Sequence, residues 1–203
     1  MRRRSKTDQW GVALAGLLLL GSTLAAAVHG ARTAWAQDLY REAKYGGAAG
    51  DVPRVLDLCR RAYVLYPYNY YFSLLAADQA EHTSGSLPTP VAARQRHLAR
   101  VWCERGLLQN RFRNPLRRLM ARLLWTESPT RAIQYWEEYT QWEFWRPHNH
   151  AELAAMYAQV GDFDKAERAL YWVQGDPAYE TTRALIRREQ AQQEAELDAQ
   201  SPK

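Results

Sequence analysis

The chain has 203 residues, of which 47% are hydrophobic and 24% are charged. Its 11 glycines and 9 prolines are too few for a disordered chain, so the composition indicates a folded domain with a core. The net charge of +5 does not by itself argue for nucleic acid, because four basic residues and one acid among the first ten residues account for +3 of it.

The first predicted element is an apolar helix that follows a basic tail. Gly11 to Val28 is a run without a charge, and at 1.5 Å per residue it reaches about 27 Å, close to the hydrocarbon thickness of a bilayer. The basic residues of segment 1–10 predict a cytoplasmic tail and a transmembrane helix over 11–31. The rest of the chain is then expected outside the inner membrane, in the periplasm of a bacterium.

A cleaved secretory signal is the competing interpretation of this segment. Residues 34–36 (Ala-Trp-Ala) have the small-x-small form of a cleavage site, and cleavage there releases a periplasmic chain that begins at Gln37. The apolar run is longer than that of most signals, and His29 and Arg32 lie before the site. We therefore favour the uncleaved anchor; both interpretations export the folded domain.

Residues 36–67 are the first of four predicted helical hairpins. Gly50 and Asp51 have the pattern of a helix end followed by an N-cap. The first helix, over 36–48, is the weaker one, because a glycine occupies a position where a large side chain is expected. The second helix has an apolar stripe at helical spacing, which consists of Val55, Cys59 and Ala62.

Residues 68–109 are the second and least regular hairpin. A helix over 70–82 is followed by a polar loop over 83–90, which is longer than an ordinary repeat turn. A long helix over 91–109 completes the pair.

Residues 113–146 are the third hairpin. Ser128 is the predicted N-cap of its second helix, and Pro129 suits the first helical position, where a missing N–H has no cost. The predicted buried stripes are Leu119, Met120 and Leu123 in the first helix and Ala132, Trp136 and Tyr139 in the second.

Residues 147–177 have the clearest pattern. Gly161 ends the first helix and Asp162 caps the second. Their apolar stripes are Leu153, Ala154 and Tyr157, then Ala166, Leu170 and Val173. With Pro177 behind it, this segment resembles the tetratricopeptide repeat, in which an apolar-small pair and an aromatic residue precede the turn and a proline closes the unit. It departs from the family at Val173, where alanine is usual, and at Pro177, which comes one position early.

The resemblance implies an all-α fold, a right-handed superhelix of about four such hairpins. A helix over 178–197 with a polar outer face suits the terminal cap of such an array, and residues 198–203 are a predicted disordered tail.

The resemblance also implies that the first helices line a concave groove that binds a peptide or a helix of a partner protein. Transferred by repeat phase, the groove positions are Gln37, Tyr40, Lys44, Tyr71, Leu74, Asp78, Asn114, Arg117, Ala121, His148, Ala151 and Ala155. Those with side chains suited to partner contacts are Tyr40, Lys44, Tyr71, Asp78, Arg117 and His148.

Aromatic residues are concentrated in segment 125–145, which holds seven of them. A thin helical layer cannot bury them all, and exposed aromatic side chains often belong to binding sites. Trp142 and Trp145 are the best candidates, because they stand just before a helix-starting proline.

Segment 94–122 holds nine arginines (94, 96, 100, 105, 111, 113, 117, 118 and 122) and one acid, Glu104. They either solvate exposed helix faces or contact an acidic partner or anionic lipid headgroups. Nucleic acid is not an expected partner of an exported domain.

Residue patterns for chemistry are sparse. The glycine-rich segment 46–50 lacks the Gly-Lys-Ser/Thr of a phosphate loop. His148 and His150 do not share a helical face, so we expect one of them to pack at the hairpin interface rather than bind a metal. Cys59 and Cys103 lack a metal-binding spacing and are predicted buried thiols, with a disulfide left open. We expect no catalytic residue, no cofactor and no metal.

Three functions are compatible with these features, and none of them is enzymatic. The first is a membrane-tethered adaptor that binds and assembles partner proteins of an envelope complex. The second is an integral accessory subunit of a larger membrane complex, with permanent aromatic interfaces. The third is an exported glycan-binding module that uses Trp142 and Trp145 as stacking platforms.

Overall fold

The computed structural model describes residues 6–85 and 88–200, and this part of the chain is all-helical, without a strand. Residues 1–5 of the predicted basic tail, two residues of the predicted 83–90 loop and the last three residues of the predicted disordered tail lie outside the described residues. The helices are α1 (Lys6–Tyr45), α2 (Val52–Leu65), α3 (Tyr70–Ser84), α4 (Thr89–Gln109), α5 (Asn114–Glu127), α6 (Pro129–Trp142), α7 (Pro147–Gln159), α8 (Phe163–Tyr171) and α9 (Ala178–Gln200).

The chain divides into two compact units, unit 1 up to Arg111 with α1–α4 and unit 2 from Phe112 with α5–α9. Within unit 1, α1 packs on α2, α2 on α3 and α3 on α4. Within unit 2, α5 packs on α6, α6 on α7, α7 on α8, and α9 on α7 and α8.

Helix α1 joins the predicted membrane segment to the first hairpin without a break. The sequence suggested two elements, over 11–31 and 36–48, but segment 31–45 contains no glycine or proline, and the helix continues to Tyr45. Its first part is long and apolar enough to cross a membrane, and its apolar side chains are exposed. In its last three turns, Ala36, Leu39 and Ala43 are buried against the rest of unit 1.

The turn after α1 has the predicted cap. Gly50 adopts a φ of 94°, a conformation that favours glycine, and the Asp51 carboxylate accepts a hydrogen bond of 3.2 Å from the Arg54 N–H. The predicted stripe of α2 is confirmed, because Val55, Cys59 and Ala62 are buried. Burying a side chain of this kind contributes about 1.5–3 kcal/mol for valine and less for the smaller residues.

The connection between α3 and α4 is shorter than the predicted loop over 83–90. The hydroxyls of Thr83 and Ser84 donate back to the carbonyls of Gln79 and Glu81, at 2.7 Å in both cases, and the helix continues to Ser84. Pro90 lies in the first turn of α4, where the missing N–H breaks no helical hydrogen bond. The prediction was wrong because it treated all polar and proline residues here as loop.

In unit 2 the caps predicted from the sequence are present. Ser128 caps α6, and its hydroxyl accepts a hydrogen bond of 3.4 Å from the Arg131 N–H. Gly161, at a φ of 77°, donates to the Ala158 carbonyl at 3.0 Å, and Asp162 donates to the Tyr157 carbonyl at 3.0 Å. This pair of bonds is a Schellman motif, which satisfies the free carbonyls at the end of α7.

Helix α9 packs on α7 and α8, and Thr182 and Ile186 in its first turns are buried. From position 187 to position 199 its side chains are exposed or half-buried, and most of them are polar. The helix continues to Gln200 and so includes the first residues of the predicted tail.

Candidate functional site

A buried polar network fixes the turn between α6 and α7 in unit 2. The Glu143 side chain is buried, accepts a hydrogen bond of 2.6 Å from the Tyr139 hydroxyl and pairs with Arg146 at 3.1 Å. Burial, together with the adjacent Glu143 carboxylate, raises the pKa of Tyr139 to about 12. Tyr139 therefore remains a neutral donor at any physiological pH.

Asn149, in the first turn of α7, is the second centre of this network. Its side chain is fully buried, and its Oδ1 accepts a hydrogen bond of 2.9 Å from the Asn114 amide of α5. Its backbone carbonyl accepts a bond of 3.0 Å from the Trp136 indole of α6. Three helices thus meet at Asn149, and buried groups that are satisfied in this way define one arrangement of the helices.

Beside this network, an open groove of about 520 Å³ lies between α6, α7 and α8. Its volume falls within the range of small-molecule and side-chain pockets, about 300–1,000 Å³. Its lining consists of Glu137, Thr140, Gln141, Phe144, His150, Leu153, Tyr157, Lys165, Arg168, Ala169 and Trp172.

One wall of the groove is aromatic. The His150 ring stacks on Trp172, with centroids 5.5 Å apart and planes inclined by 19°. Its Nε2 lies 2.7 Å from the Phe144 carbonyl, and because a carbonyl only accepts, Nε2 carries the hydrogen. Trp172 and Phe144 stay exposed, so apolar surface faces the groove. The prediction that one of the two histidines packs at the hairpin interface is confirmed by the burial of His150.

The opposite part of the groove is polar. The Tyr157 hydroxyl donates to the Glu137 carboxylate, and burial and this carboxylate raise the pKa of Tyr157. The Lys165 ammonium lies 5.3 Å from the centroid of the Tyr157 ring. Lys165 also pairs with Asp162 at 2.7 Å and holds the pKa of that carboxyl below its usual value. With Arg168 nearby, this part of the groove carries two cations and one carboxylate.

Thr140, on the α6 side, has an unsatisfied hydroxyl. The side chain is 4% exposed, and its Oγ1 finds no hydrogen-bond partner among the described residues. Leaving a buried hydroxyl without a partner costs roughly 1–3 kcal/mol. This oxygen is closed off from solvent, so the Thr140 hydroxyl does not face the groove that the residue lines.

The predicted partner residues of unit 2 lie outside this groove. Arg117 donates from Nη1 to the Tyr135 hydroxyl at 3.0 Å and lies over the Tyr139 ring, so it is engaged within the unit. His148 is exposed, but it faces away from the groove, because two residues of helix separate it from His150 by about 200°. The repeat phase therefore predicted partner contacts on the face of α7 that is opposite to His150.

Trp142 and Trp145 are both exposed, as predicted. Trp142 lies 6.3 Å from Phe112, centroid to centroid, and Trp145 meets Phe144 edge to face at 5.5 Å. These four side chains form an exposed aromatic cluster at the end of α6, and its member Phe144 also lines the groove.

The structure brings three of the four predicted partner residues of unit 1 close together. The Tyr40 ring lies 6.4 Å from the Tyr71 ring, and the Lys44 ammonium lies 5.7 Å from the Tyr40 centroid. Asp78 is exposed, two helical turns beyond Tyr71 on α3, which leaves it on the same face. Tyr40 is half-buried against Phe72, so it is also a packing residue.

The arginines of segment 94–122 are divided between the units, and several of them make contacts inside their own unit. In unit 1, Arg100 pairs with Glu104 at 3.1 Å, and Arg105 lies over the Trp102 ring. In unit 2, Arg118 of α5 pairs with Glu152 of α7 at 3.0 Å. For the remaining arginines, the structure is compatible both with solvation of exposed helix faces and with contact to an acidic partner or anionic lipid headgroups.

Sequence reasoning missed Thr140, Tyr157, Arg168 and Trp172 as site residues, because nothing in the sequence showed that α6, α7 and α8 enclose a groove. A signal existed in the spacing of Lys165 and Arg168, which share one face of α8, and of Trp172, which follows at the end of this helix. Cys59 and Cys103 are both buried, as expected, and burial raises the pKa of Cys59 to about 12. Within residues 6–85 and 88–200, no group of three or more His, Cys, Asp and Glu side chains is placed to hold a metal ion.

Comparison with protein-family models and with curated proteins gave no match for this sequence. The resemblance to tetratricopeptide repeats therefore depends on the residues that carry it and stays a prediction.

Proposed function

We propose that the chain is a membrane-tethered, tetratricopeptide-like adaptor that binds partner proteins of an envelope complex. The observation that carries this proposal is α1, in which an exposed apolar stretch continues directly into a helix of the first hairpin. An exposed apolar face of this length is stable in a bilayer and costly in water. The basic residues before it favour a cytoplasmic N-terminus and periplasmic units.

The proposal extends to the repeat architecture. Gly-Asp turns with the expected caps and small-residue stripes between paired helices are supporting features, found in α1/α2 and in α7/α8. In the tetratricopeptide family such hairpins stack into a right-handed superhelix, which offers extended surfaces for binding.

The partner segment that suits the groove of unit 2 is a short peptide with an aromatic side chain and an acidic one. The stacked His150–Trp172 pair offers a face for an aromatic ring, and Lys165 and Arg168 attract a carboxylate. Two anchoring contacts of this kind are typical of peptide recognition by a helical groove.

Site-specific photo-crosslinking in native membranes tests this assignment. A photoreactive amino acid at Phe144, inside the groove, should give a defined crosslinked partner, whereas the same probe at Tyr171, exposed but outside the groove lining, should not. Arg168→Glu should abolish the product, and Arg187→Glu, an exposed control on α9, should leave it. Equal products from positions 144 and 171 would show that the groove is not the site.

The groove predicted from repeat phase has a separate test. The double variant Tyr71→Ala and Arg117→Ala removes two of its partner contacts without touching the lining of the α6–α8 groove. Loss of partner recovery in this variant, with Arg168→Glu unaffected, assigns binding to the first-helix surface instead.

A second candidate function is supported by the exposed aromatic cluster of Phe112, Trp142, Phe144 and Trp145. Apolar surfaces of this kind are typical of permanent interfaces, so the chain is in this case an accessory subunit of a membrane complex. Purification in mild detergent separates the two functions: a stoichiometric complex supports the subunit, and a sub-stoichiometric, exchangeable partner supports the adaptor. A tryptophan fluorescence titration with envelope polysaccharides tests glycan binding by the same cluster.

A further inference from the structure

The contacts between α1 and α2 show which part of unit 1 lies beside the end of the apolar stretch. His29 meets Tyr66 edge to face at 5.7 Å, and Arg32 donates to the Val64 carbonyl at 3.4 Å. Farther along, Glu42 pairs with Arg54 at 3.2 Å. The two helices are therefore antiparallel, and the C-terminal end of α2 lies level with residues 29–32 of α1.

Helix α4 ends at the same level. Short connections between packed neighbours make α2, α3 and α4 alternate in direction, so α4 runs parallel to α2. Tyr63 of α2 meets Trp102 at 5.8 Å and lies under Arg105, 5.6 Å from its guanidinium. Leu108 follows Arg105 by three residues, as Tyr66 follows Tyr63, so Leu108 lies near the level of the α2 end.

The residues at this level have the composition of a membrane interface. Val64 is 68% exposed, Tyr68 75% and Leu108 89%, although all three are large and apolar or aromatic. Arg32 and Arg61 are exposed around them. Apolar side chains bordered by tyrosine and arginine are typical of proteins at the headgroup level of a bilayer. We name these five residues the lipid-facing end of unit 1.

The length of the apolar stretch sets where this end lies. Gly11 to Val28 reaches about 27 Å, against about 30 Å of hydrocarbon, so the stretch has no spare length outside the bilayer core. The headgroup layer adds about 5–7 Å on each side, which corresponds to roughly three to five helical residues. Residues 29–32 therefore lie in that layer, and the lipid-facing end lies beside them.

We propose that the lipid-facing end of unit 1 is seated in the headgroup layer of an anionic bilayer. In this arrangement Arg32 and Arg61 bind lipid phosphates, while Val64 and Leu108 reach the boundary with the acyl chains. The inference rests on the proposed anchoring by α1, but it adds a second contact with the membrane. Unit 1 is then a peripheral membrane domain and not one held away from the membrane by a linker.

Depth-dependent fluorescence quenching on the full chain in vesicles tests this. An environment-sensitive dye is attached to single cysteines that replace Leu18, Val64, Leu108 or Val91, in phosphatidylcholine vesicles with or without phosphatidylglycerol. Cys59 and Cys103 are fully buried and stay unlabelled in the folded chain. Leu18 reports the anchor, and Val91, exposed at the other end of α4, is the matched control.

We expect a headgroup-attached quencher to quench the dye at Val64→Cys and Leu108→Cys, but not at Val91→Cys, and an acyl-chain quencher to quench it at Leu18→Cys. If Leu18→Cys is quenched and positions 64 and 108 behave like position 91, the seating is refuted and the anchor stands. If none of them is quenched, the anchor and the seating are both refuted. A dye response at position 108 that requires added envelope protein and no lipid quencher identifies a protein occupant and also refutes the seating.

The arginine contribution has its own control. In anionic vesicles Arg61→Ser should lower the ratio of seated to unseated chains about fivefold, the factor that corresponds to about 1 kcal/mol per basic residue near an anionic surface. Arg94→Ser, an exposed control near the start of α4, should change it little. In vesicles of phosphatidylcholine alone the two variants should not differ, and an equal effect of Arg61→Ser in both lipids would contradict the role of charge.

Discussion

The indole N–H of Trp136 donates a hydrogen bond of 3.0 Å to the backbone carbonyl of Asn149. This bond joins α6 to the first turn of α7 at a point where both residues are fully buried. Thr140 follows Trp136 by one helical turn, and His150 follows Asn149 directly. The bond therefore aligns two walls of the α6–α8 groove, and the geometry of the candidate site depends on a residue that does not line it.

Replacing Trp136 by phenylalanine removes this donor and leaves the Asn149 carbonyl buried without it. We expect a loss of about 1–3 kcal/mol in the free energy of unfolding, measured by urea denaturation of the full chain in detergent. Trp142→Phe is the matched control, because Trp142 is exposed and such changes stay within about 0.5 kcal/mol. A similar loss in both variants would indicate that the indole hydrogen bond contributes little.

Gly161 and Gly175 permit a separation of backbone strain from side-chain crowding. Both adopt a positive φ, but an added Cβ at Gly161 meets the Gln193 side chain of α9, whereas at Gly175 it meets nothing within 4 Å. Alanine at either position should cost about 1–2 kcal/mol for the left-handed backbone, measured by the same denaturation. We expect Gly161→Ala to cost more stability than Gly175→Ala. If adding Gln193→Ala removes this extra cost, the cost comes from the contact with α9.

The sequence was informative where a local motif determines the structure. The caps at Asp51, Ser128 and Asp162 were predicted from one or two residues, because an N-cap bond forms within the same turn. The continuity of α1 was missed, although the absence of helix breakers after Gly30 was visible. The repeat pattern led to the prediction of two elements, although no residue in this segment favours a break in the helix.

The groove was beyond the reach of the sequence for a different reason. Whether Thr140, Tyr157 and Arg168 face each other depends on how α8 packs against α6 and α7. That arrangement is fixed by contacts between residues that are distant in the chain, such as the Asn114–Asn149 bond. The periodicity of each helix gives its buried face, but it does not say which half-exposed residues border a neighbour.

Thr140→Val should stabilise the free chain. Valine has nearly the same shape as threonine and lacks the unsatisfied hydroxyl, so we expect a gain of about 1 kcal/mol in the free energy of unfolding. Ser73→Ala in unit 1 is a matched control, because Ser73 Oγ is also buried without a partner among the described residues. Both variants should be more stable than the unsubstituted chain.

Alkaline pH should destabilise unit 2 through Tyr139. The folded chain raises its pKa from 10.0 to about 12, so it favours the protonated form, and the resulting stability is fully present below pH 10. It is lost between pH 10 and 12, at up to about 1.4 kcal/mol per pH unit. Tyr157, with its raised pKa, acts in the same direction. Tyr139→Phe should flatten the profile in this window, and Tyr171→Phe, an exposed control, should not.

Cys59 should be inert in the folded chain. Burial raises its pKa from 9.0 to about 12, and because the thiolate is the reactive form, alkylation at neutral pH should be slower by about a thousandfold. Mass spectrometry after iodoacetamide treatment measures the rate, with Leu108→Cys as an exposed thiol in the same unit. Comparable rates at positions 59 and 108 would contradict the burial of Cys59, and urea should remove the difference.

Helix α1 passes from its exposed apolar stretch to the buried Ala36 without a hinge. It is therefore one rigid body whose first part lies in the proposed membrane and whose last turns belong to unit 1. A bilayer thinner than the apolar stretch tilts such a helix, and unit 1 has to turn through the same angle. We expect the orientation of unit 1 over the membrane to follow the thickness of the surrounding lipid.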